Sequence, residues 1–318
     1  MKALAGQTAI YGVSSILGRM INFLLVPLQT AVLSQSAYGI NVDFYSLIAF
    51  LIVVVTFGME TAYFRYSEQE GFDEGKVFGA GLAMIALVLA SLGLFVLLFQ
   101  NELLHSLRWE ETPEYLYFFM AILALDALSA LPFARLRRTN KAVRFAGIKL
   151  ALILSNVLIN LYIFLPAYWE LHGNVGYWSH EMRGVGYIFV ANFWAAVLMF
   201  ALLLPTLFPL QLNLDKKYVK TLLVFGIPLL IGGLAGIANE MLDRQLLKYL
   251  LPKENAYAGV GIYGAVYKIS IFLILFNQAF RYAAEPFFFK NAKTKDGPER
   301  MSTVMDVFAW VMCVGFVL

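Results

Sequence analysis

Charged residues are scarce in this chain of 318 residues, where Asp, Glu, Lys and Arg together make up 14% of the sequence. Soluble globular proteins carry about 25% charged residues. Apolar residues, in contrast, reach 60%, more than a protein needs when its surface faces water. We therefore exclude a water-soluble domain of this size and predict a polytopic membrane protein, whose surface faces lipid.

Other absences narrow the function. The chain has one cysteine, Cys313, which excludes an internal disulfide. Its three histidines, His105, His172 and His180, lie in short predicted loops without a paired catalytic motif. We find no nucleotide-binding motif either. The sequence thus predicts no cofactor, no metal site and no nucleic-acid partner, and it disfavours an enzyme.

Long apolar runs fill most of the chain. A membrane-spanning helix needs about 20 mostly apolar residues, and these runs are too long and too uniformly apolar for barrel strands. We predict an all-α fold with eight complete spans and the start of a ninth near residue 302. The complete spans are predicted at residues 7–33, 41–65, 77–100, 114–134, 145–168, 184–208, 218–247 and 258–286.

The loop cations predict an orientation, because cytoplasmic loops carry an excess of Lys and Arg. Loops after the even-numbered spans hold fifteen of them, including Lys149, whereas the opposite loops hold Arg108, Arg183, Lys248 and Lys253. This asymmetry predicts a cytoplasmic N-terminus. It also assigns Lys248 to an outer loop.

An internal repeat relates the first two spans to the seventh and eighth. Residues 24–64 align without gaps on residues 246–286, a shift of 222, and ten of the 41 positions are identical, among them Gly39 with Gly261. Six spans separate the copies, so both have the same orientation. Parallel repeats build transporters with two lobes around a central site. We predict a six-helix lobe over residues 1–212 and an incomplete second lobe over 213–318, with about three further spans to follow.

Four stretches carry a resemblance to a known family. They are QTAIYGVSSILGRMINFLLVPLQTAVLSQSAYGI, the end of the second span GMETAYFRY, FGIPLLIGGLAGIANEMLDRQLLKYLL, and AGVGIYGAVYKISIFL. Together they resemble the polysaccharide biosynthesis branch of the multidrug, oligosaccharidyl-lipid and polysaccharide exporter superfamily, over essentially the whole chain. The resemblance implies a flippase for lipid-linked oligosaccharides, with twelve or fourteen helices in two lobes that form a V. It also implies that Asp243 and Arg244 lie near the cavity.

Ionisable residues inside the spans are the candidate site residues, since a charge at the bilayer centre costs about 2.5–3.5 kcal/mol and normally faces a bundle interior or a wet cavity. Arg19 lies near the middle of the first span, and Asn22 lies on the same helical face. We interpret both as substrate or gating residues. The alternative is a structural ion pair of Arg19 with Glu60 or Asp126. Lys268 lies at a similar depth in the eighth span.

The remaining candidates each have two interpretations. Asp43 either acts in gating or sits in headgroup water, and Asp126 is either an ion-pair partner or a proton or cation site. Glu240 and Arg244 have the spacing of an intrahelical pair. Arg281 either belongs to the site or extends toward the cytoplasmic face.

We predict a cationic site for a lipid pyrophosphate at Arg19 and Lys268, with Arg244 closer to the outer face. A guanidinium group binds phosphate oxygens in pairs, and a lysine adds a point charge. We predict alternating access in the cytoplasmic membrane, serving surface polysaccharide biosynthesis. The predicted partners are the lipid-linked oligosaccharide, membrane lipid, a coupling ion (H⁺ or Na⁺) and other polysaccharide assembly proteins. The alternatives are a drug or cation antiporter of the same superfamily, a membrane-embedded polysaccharide-processing enzyme, and a non-transporting scaffold.

Overall fold

The computed structural model describes residues 20–21, 23–171, 184–209, 211, 214–270, 276–277, 280 and 297–317. The regular elements in these ranges are all helices. They are α1 (Phe23–Val32), α2 (Gln35–Thr56), α3 (Met59–Tyr66), α4 (Glu74–Leu98), α5 (Gln100–Leu107), α6 (Glu114–Arg138), α7 (Ala142–Leu171), α8 (Gly186–Leu207), α9 (Lys216–Leu250), α10 (Lys253–Tyr267) with a 3₁₀ turn at Lys268–Ser270, and α11 (Gly297–Val317).

Within the residues that the structure describes, six helices are long and apolar enough to cross a membrane. They are α2 continued by α3, then α4, α6, α7, α8 and α9. Each corresponds to one of the predicted spans two to seven, which agrees with a polytopic membrane protein. The first and eighth predicted spans lie partly outside the described residues, so the count of eight spans and the start of a ninth stays a prediction.

Short polar side chains begin several of these helices. Oγ of Ser34 accepts a hydrogen bond from the backbone N–H of Ala37 at 3.2 Å, which caps α2. Oδ1 of Asp215 accepts from the N–H of Lys217 at 3.0 Å and caps α9. Such caps satisfy backbone donors that the first helical turn leaves without partners, so both helices begin at a defined residue.

A bend separates α2 from α3. Gly58 has a φ of +75°, in the left-handed region that favours glycine. A Cβ at this glycine would lie 2.7 Å from Cβ of Leu229 on α9. Both the bend and the close approach of α9 therefore require glycine here.

The helices pack through two main contacts. α6, α7 and α8 lie together, and α2 lies along α9 and against α6. An apolar cluster fills the space between α6, α7 and α8: Phe133, Leu136, Phe145, Ile148, Met199 and Leu203. This core holds α6, α7 and α8 together, and α2 packs against α6 of this group.

The chain divides into two compact units, residues 1–262 and 263–318. The first unit contains α1 to α9 and most of α10. In the second unit, the ring of Phe308 stacks on that of Phe280 with centroids 3.8 Å apart. The predicted lobes, with a boundary near residue 212, remain a prediction.

Candidate functional site

An enclosed ion pair joins α2 to α9. Nζ of Lys248 lies 2.6 Å from Oδ2 of Asp43, and both side chains are 0% exposed. Lys248 occupies the last turn of α9, so it belongs to a helix, and its prediction as an outer-loop residue is wrong. The interpretation that Asp43 sits in headgroup water is also wrong, because α9 packs over it. The pair lies at the ends of α2 and α9 that the loop cations predict to be outside.

Two polar neighbours complete the surroundings of the carboxylate. Nε2 of Gln245 donates to Oδ1 of Asp43 at 2.8 Å and to Oγ of Ser46 at 2.7 Å. Each oxygen of Asp43 therefore has its own donor, Gln245 for one and Lys248 for the other. A buried ion pair is stable only when its remaining hydrogen-bonding capacity is satisfied in this way, because removing two charges from water is costly.

The turn between α5 and α6 covers the pair. Nη1 of Arg108 donates to the backbone carbonyl of Lys248 at 3.0 Å. The ring centroid of Trp109 lies 5.9 Å from Nζ of Lys248, and those of Tyr249 and Tyr257 lie 5.4 Å from it. Aromatic faces attract a cation, so these rings help to hold the ammonium group.

We call Asp43, Ser46, Arg108, Gln245 and Lys248 the outer cluster. Aromatic packing holds α2 in the rotation that presents this cluster to α9. The ring of Phe44 stacks on that of Phe189 in α8, with centroids 3.8 Å apart. It also meets the ring of Phe119 in α6 edge-on at 5.3 Å. Because Phe44 is locked between α6 and α8, the adjacent Asp43 is held toward α9.

One turn before Asp43, α2 crosses α10 at two glycines. A Cβ at Gly39 would lie 1.8 Å from the backbone oxygen of Tyr257 and 3.0 Å from the nitrogen of Gly261. A Cβ at Gly261 would lie 2.2 Å from the backbone oxygen of Gln35 and 2.9 Å from the nitrogen of Gly39. The two backbones therefore touch, and only glycine fits at either position.

A second carboxylate inside the bundle, Asp126, lies on α6 and is partly buried. The charged group that acts on it is Lys149 of α7, and Tyr45 of α2 is a further ionisable neighbour. Nζ of Lys149 lies 4.3 Å from the ring centroid of Phe133. Lys149 is thus part of a helix and faces the bundle, so its assignment to a cytoplasmic loop is wrong. Both interpretations of Asp126, ion-pair partner and cation site, remain open.

Glu60, on α3, forms a salt bridge with Arg137 of α6. The alternative partner considered for Glu60, Arg19, lies outside the described residues. Arg137 also lies near Lys149, which Glu60 and Arg137 influence electrostatically. Glu60 therefore ties α3 to α6 at the end of the bundle predicted to be cytoplasmic.

A network around Glu74 connects four helices at that same end. The hydroxyl of Tyr63 donates to Oε1 of Glu74 at 2.5 Å, and Nη2 of Arg135 donates to Oε2 at 3.1 Å. Nη1 of Arg135 also donates to the backbone carbonyl of Thr206 at 3.0 Å. These bonds link α3, α4, α6 and α8, so the network stabilises the bundle.

The polar residues of α9 form a different pair from the one that their spacing predicts. Nη1 of Arg244 lies 2.8 Å from Oδ1 of Asp243 and also donates to the backbone carbonyl of Glu240. The expected carboxylate partner, four residues away, thus contributes its main-chain oxygen. Arg244 is buried, with a side-chain exposure of 6%, whereas Asp243 is 36% exposed.

Three predicted site residues, Arg19, Asn22 and Arg281, lie outside the described residues. Lys268 begins the 3₁₀ turn after α10 and is half-buried in the second unit. The cationic site expected from Arg19 and Lys268 therefore remains a prediction.

Sequence reasoning missed Lys248 and Gln245. A signal for both was present, because Glu240, Arg244 and Lys248 follow one another at intervals of four residues, and Gln245 lies three residues before Lys248. Residues at these spacings share one helix face. The polar face of α9 continues past residue 247, where the predicted span ended.

The helices and their interior charges define a polytopic helical membrane protein. Within the described ranges, no group of three or more His, Cys, Asp or Glu side chains is placed to hold a metal ion. Residues 4–292 match the family described as polysaccharide biosynthesis protein. The match covers most of the chain, which therefore belongs to that family, and this confirms the resemblance of its motifs. Neither the comparison with curated proteins nor that with solved structures found a match. Membership indicates a flippase-type role in polysaccharide synthesis.

Proposed function

We propose that this protein moves an anionic lipid-linked oligosaccharide, carried on a lipid pyrophosphate, across the cytoplasmic membrane for surface polysaccharide biosynthesis. Family membership and the six apolar helices support a membrane transporter in this pathway. The observation that carries the proposal is the enclosed Asp43–Lys248 pair, which joins a helix of the first predicted lobe to a helix of the second. An interaction at that place can hold one face of the protein closed.

Alternating access gives this pair a role. A transporter that rocks two lobes about a central site has to make and break contacts at each face in turn. With the N-terminus in the cytoplasm, α2 and α9, which lie along each other, are joined in the outer half of the membrane through the outer cluster. In the proposed cycle this contact is made while the central site faces the cytoplasm and is broken when the site faces outward.

Cationic side chains of the interior would bind the pyrophosphate. Arg19 and Lys268 are the predicted central residues, with Asn22 beside Arg19, and Arg244 with Asp243 further out. Guanidinium groups bind phosphate oxygens in pairs, and ammonium groups bind them as point charges. The expected further partners are membrane lipid, a coupling ion (H⁺ or Na⁺) and other polysaccharide assembly proteins.

A translocation assay tests the proposal. The protein from its complete reading frame is reconstituted in vesicles with a fluorescent lipid pyrophosphate oligosaccharide, and the fraction protected from an external reagent is followed over time. We expect transport by the parent protein and at least a tenfold slower rate in Arg19→Ala and in Lys268→Ala. Lys253→Ala, which removes an exposed cation at the start of α10, is the control. Parental rates in both test variants would reject the cationic site.

A cation antiporter is the second candidate, and Asp126 is the observation that favours it. A partly buried carboxylate inside the bundle suits a cationic substrate or a coupling ion. The same vesicles separate the two functions. Uptake of a cationic dye driven by a proton or sodium gradient, without translocation of the lipid, would select the antiporter.

A further inference from the structure

We infer that Lys248 changes partners during transport, binding Asp43 while the outer face is closed and a phosphate oxygen of the substrate when that face opens. This inference rests on the proposed function, which brings a lipid pyrophosphate to the protein. It assigns a substrate contact to the outer cluster, beyond the predicted central residues. It also assigns a function to the enclosed ion pair between α2 and α9.

The outer cluster is rich in hydrogen-bond donors. Lys248 contributes an ammonium group, Gln245 a side-chain amide and Arg108 a guanidinium group. Among the described residues, the anion that acts on Lys248 is Asp43. Without the carboxylate, two cations and an amide would face one another. Such a set of donors is suited to a phosphate group, and Asp43 occupies the position of that anion in the closed arrangement.

Carboxylate and phosphate oxygens compete for the same donors, because both accept charge-assisted hydrogen bonds. Asp43 supplies two oxygens, and these already use Gln245 and Lys248. A pyrophosphate has more oxygens and more negative charge, so it can engage Lys248, Gln245 and Arg108 together. Binding of the phosphate therefore displaces Asp43 and releases the charged link between α2 and α9.

This exchange would couple opening to the presence of substrate. In the empty protein, separating α2 from α9 also separates an enclosed carboxylate from an enclosed ammonium group. With a phosphate on Lys248, the cation keeps a partner after α2 moves away. A ligand shifts a conformational equilibrium only through its different affinities for the two states, and competition with Asp43 supplies that difference.

Binding of inorganic pyrophosphate to the purified full-length protein in detergent tests the exchange by calorimetry. We expect Asp43→Asn to bind pyrophosphate about tenfold more tightly than the parent, within the usual range of coupling between sites, because the competing carboxylate is lost. Adding Lys248→Gln should abolish this gain, whereas Lys248→Arg should keep it. Glu254→Gln removes an exposed carboxylate near the start of α10 and should leave the affinity within twofold of the parent.

A second measurement does not depend on the folding of these variants. Ser46 is 1% exposed, so a thiol at this position reports whether α2 and α9 have separated. With Cys313→Ser and Ser46→Cys, labelling by a membrane-impermeant maleimide should accelerate at least fivefold when pyrophosphate is added, and sulfate at equal ionic strength should have little effect.

The exchange is overturned if Asp43→Asn binds pyrophosphate no better than Glu254→Gln, if the gain persists after Lys248→Gln, or if pyrophosphate leaves the labelling rate of Ser46→Cys unchanged. None of these measurements requires transport. Failure of lipid translocation with a positive competition result would reject the proposed function alone, whereas translocation without competition would reject only the exchange.

Discussion

Gly39 and Gly261 lie against each other where α2 crosses α10, and each would clash with a backbone oxygen in the other helix if it carried a Cβ. The repeat aligns each residue with the one 222 positions later, so Gly39 is equivalent to Gly261 and Gln35 to Tyr257. The contact of Gly39 with Tyr257 and the contact of Gly261 with Gln35 are therefore equivalent to each other. Reciprocal contacts of this kind are what a two-fold axis produces. The weak repeat in the sequence thus corresponds to a local symmetry in the structure.

Alanine at the crossing should force α2 and α10 apart. Gly39→Ala would bring its Cβ to 1.8 Å from a backbone oxygen, which no side-chain rotation relieves. We expect a lower midpoint of thermal unfolding and faster labelling of a thiol at Ser46. By symmetry, Gly261→Ala should have a similar effect, and the double variant should be less destabilised than the sum of the two.

Gly147→Ala is the matched control, because among the described residues no atom apart from the neighbouring backbone of α7 itself lies within 4 Å of its Cβ position. This change should stabilise the protein slightly, since alanine is favoured over glycine in a helix by about 0.5–1 kcal/mol. An unfolding midpoint for Gly39→Ala as high as that of Gly147→Ala would contradict the close crossing.

The Asp43–Lys248 pair should show strong coupling in a double-mutant cycle. Lys248→Met leaves an enclosed carboxylate without its cation, and breaking a buried pair in this way costs about 3–5 kcal/mol. Adding Asp43→Asn removes the unpaired charge and should recover much of that loss. Chemical unfolding in detergent measures the free energies, and additive effects of the two substitutions would argue against a buried pair.

The exposed pair of His105 and Glu110 serves as a comparison, with Nδ1 and Oε1 2.7 Å apart. A hydrogen bond from its own backbone N–H, and then that with His105, lower the pKa of Glu110. The contribution of ionised Glu110 to the stability of the protein is therefore present above the ordinary carboxyl pKa. It is lost as the pH falls through the lowered pKa. Because both groups face solvent, this contribution is small, and we expect Glu110→Gln to lower the unfolding midpoint at neutral pH far less than Lys248→Met does.

Arg135 should not be replaceable by lysine. Its guanidinium group reaches Glu74 and the carbonyl of Thr206 at once and lies 4.6 Å from the ring centroid of Phe78. A lysine ammonium cannot match this planar geometry. We expect Arg135→Lys to lower the free energy of unfolding by about 1.5–3 kcal/mol, the value of a hydrogen bond to a charged group. Glu68→Gln, at a carboxylate that is 68% exposed, should change it by less than about 1 kcal/mol.

The helices were predictable because their signal is local. A run of about 20 apolar residues between charged loops identifies a span without knowledge of its neighbours. Helix ends were less certain: α9 extends to Leu250, beyond the predicted limit at residue 247. Because the predicted span ended at residue 247, Lys248 was assigned to a loop and was not among the candidates. The structure places it in a buried helix end.

The pairings were not predictable, because they depend on which helices are neighbours. Asp43 and Lys248 are 205 residues apart in the chain, and nothing in either span identifies the other. The same holds for Glu60 and Arg137, which form a salt bridge, and for Asp126 and its electrostatic neighbour Lys149. Composition marked several of these positions as unusual for a membrane interior, but only the packing of α2 on α9, of α3 on α6 and of α6 on α7 supplies their partners.

Asp126 allows the coupling ion to be tested. If Asp126 is the ion-pair partner of Lys149, Asp126→Asn should destabilise the protein, and Lys149→Met should do so as well, while the pair of substitutions together recovers part of the loss. Dependence of lipid translocation on a proton or sodium gradient should then persist in Asp126→Asn, which is the result we expect because Lys149 acts electrostatically on the carboxylate. Translocation by the parent and by Asp126→Asn in vesicles, with and without each gradient, measures this. Loss of gradient dependence together with normal stability would instead identify Asp126 as the coupling site and leave Lys149 as a neighbour that tunes it.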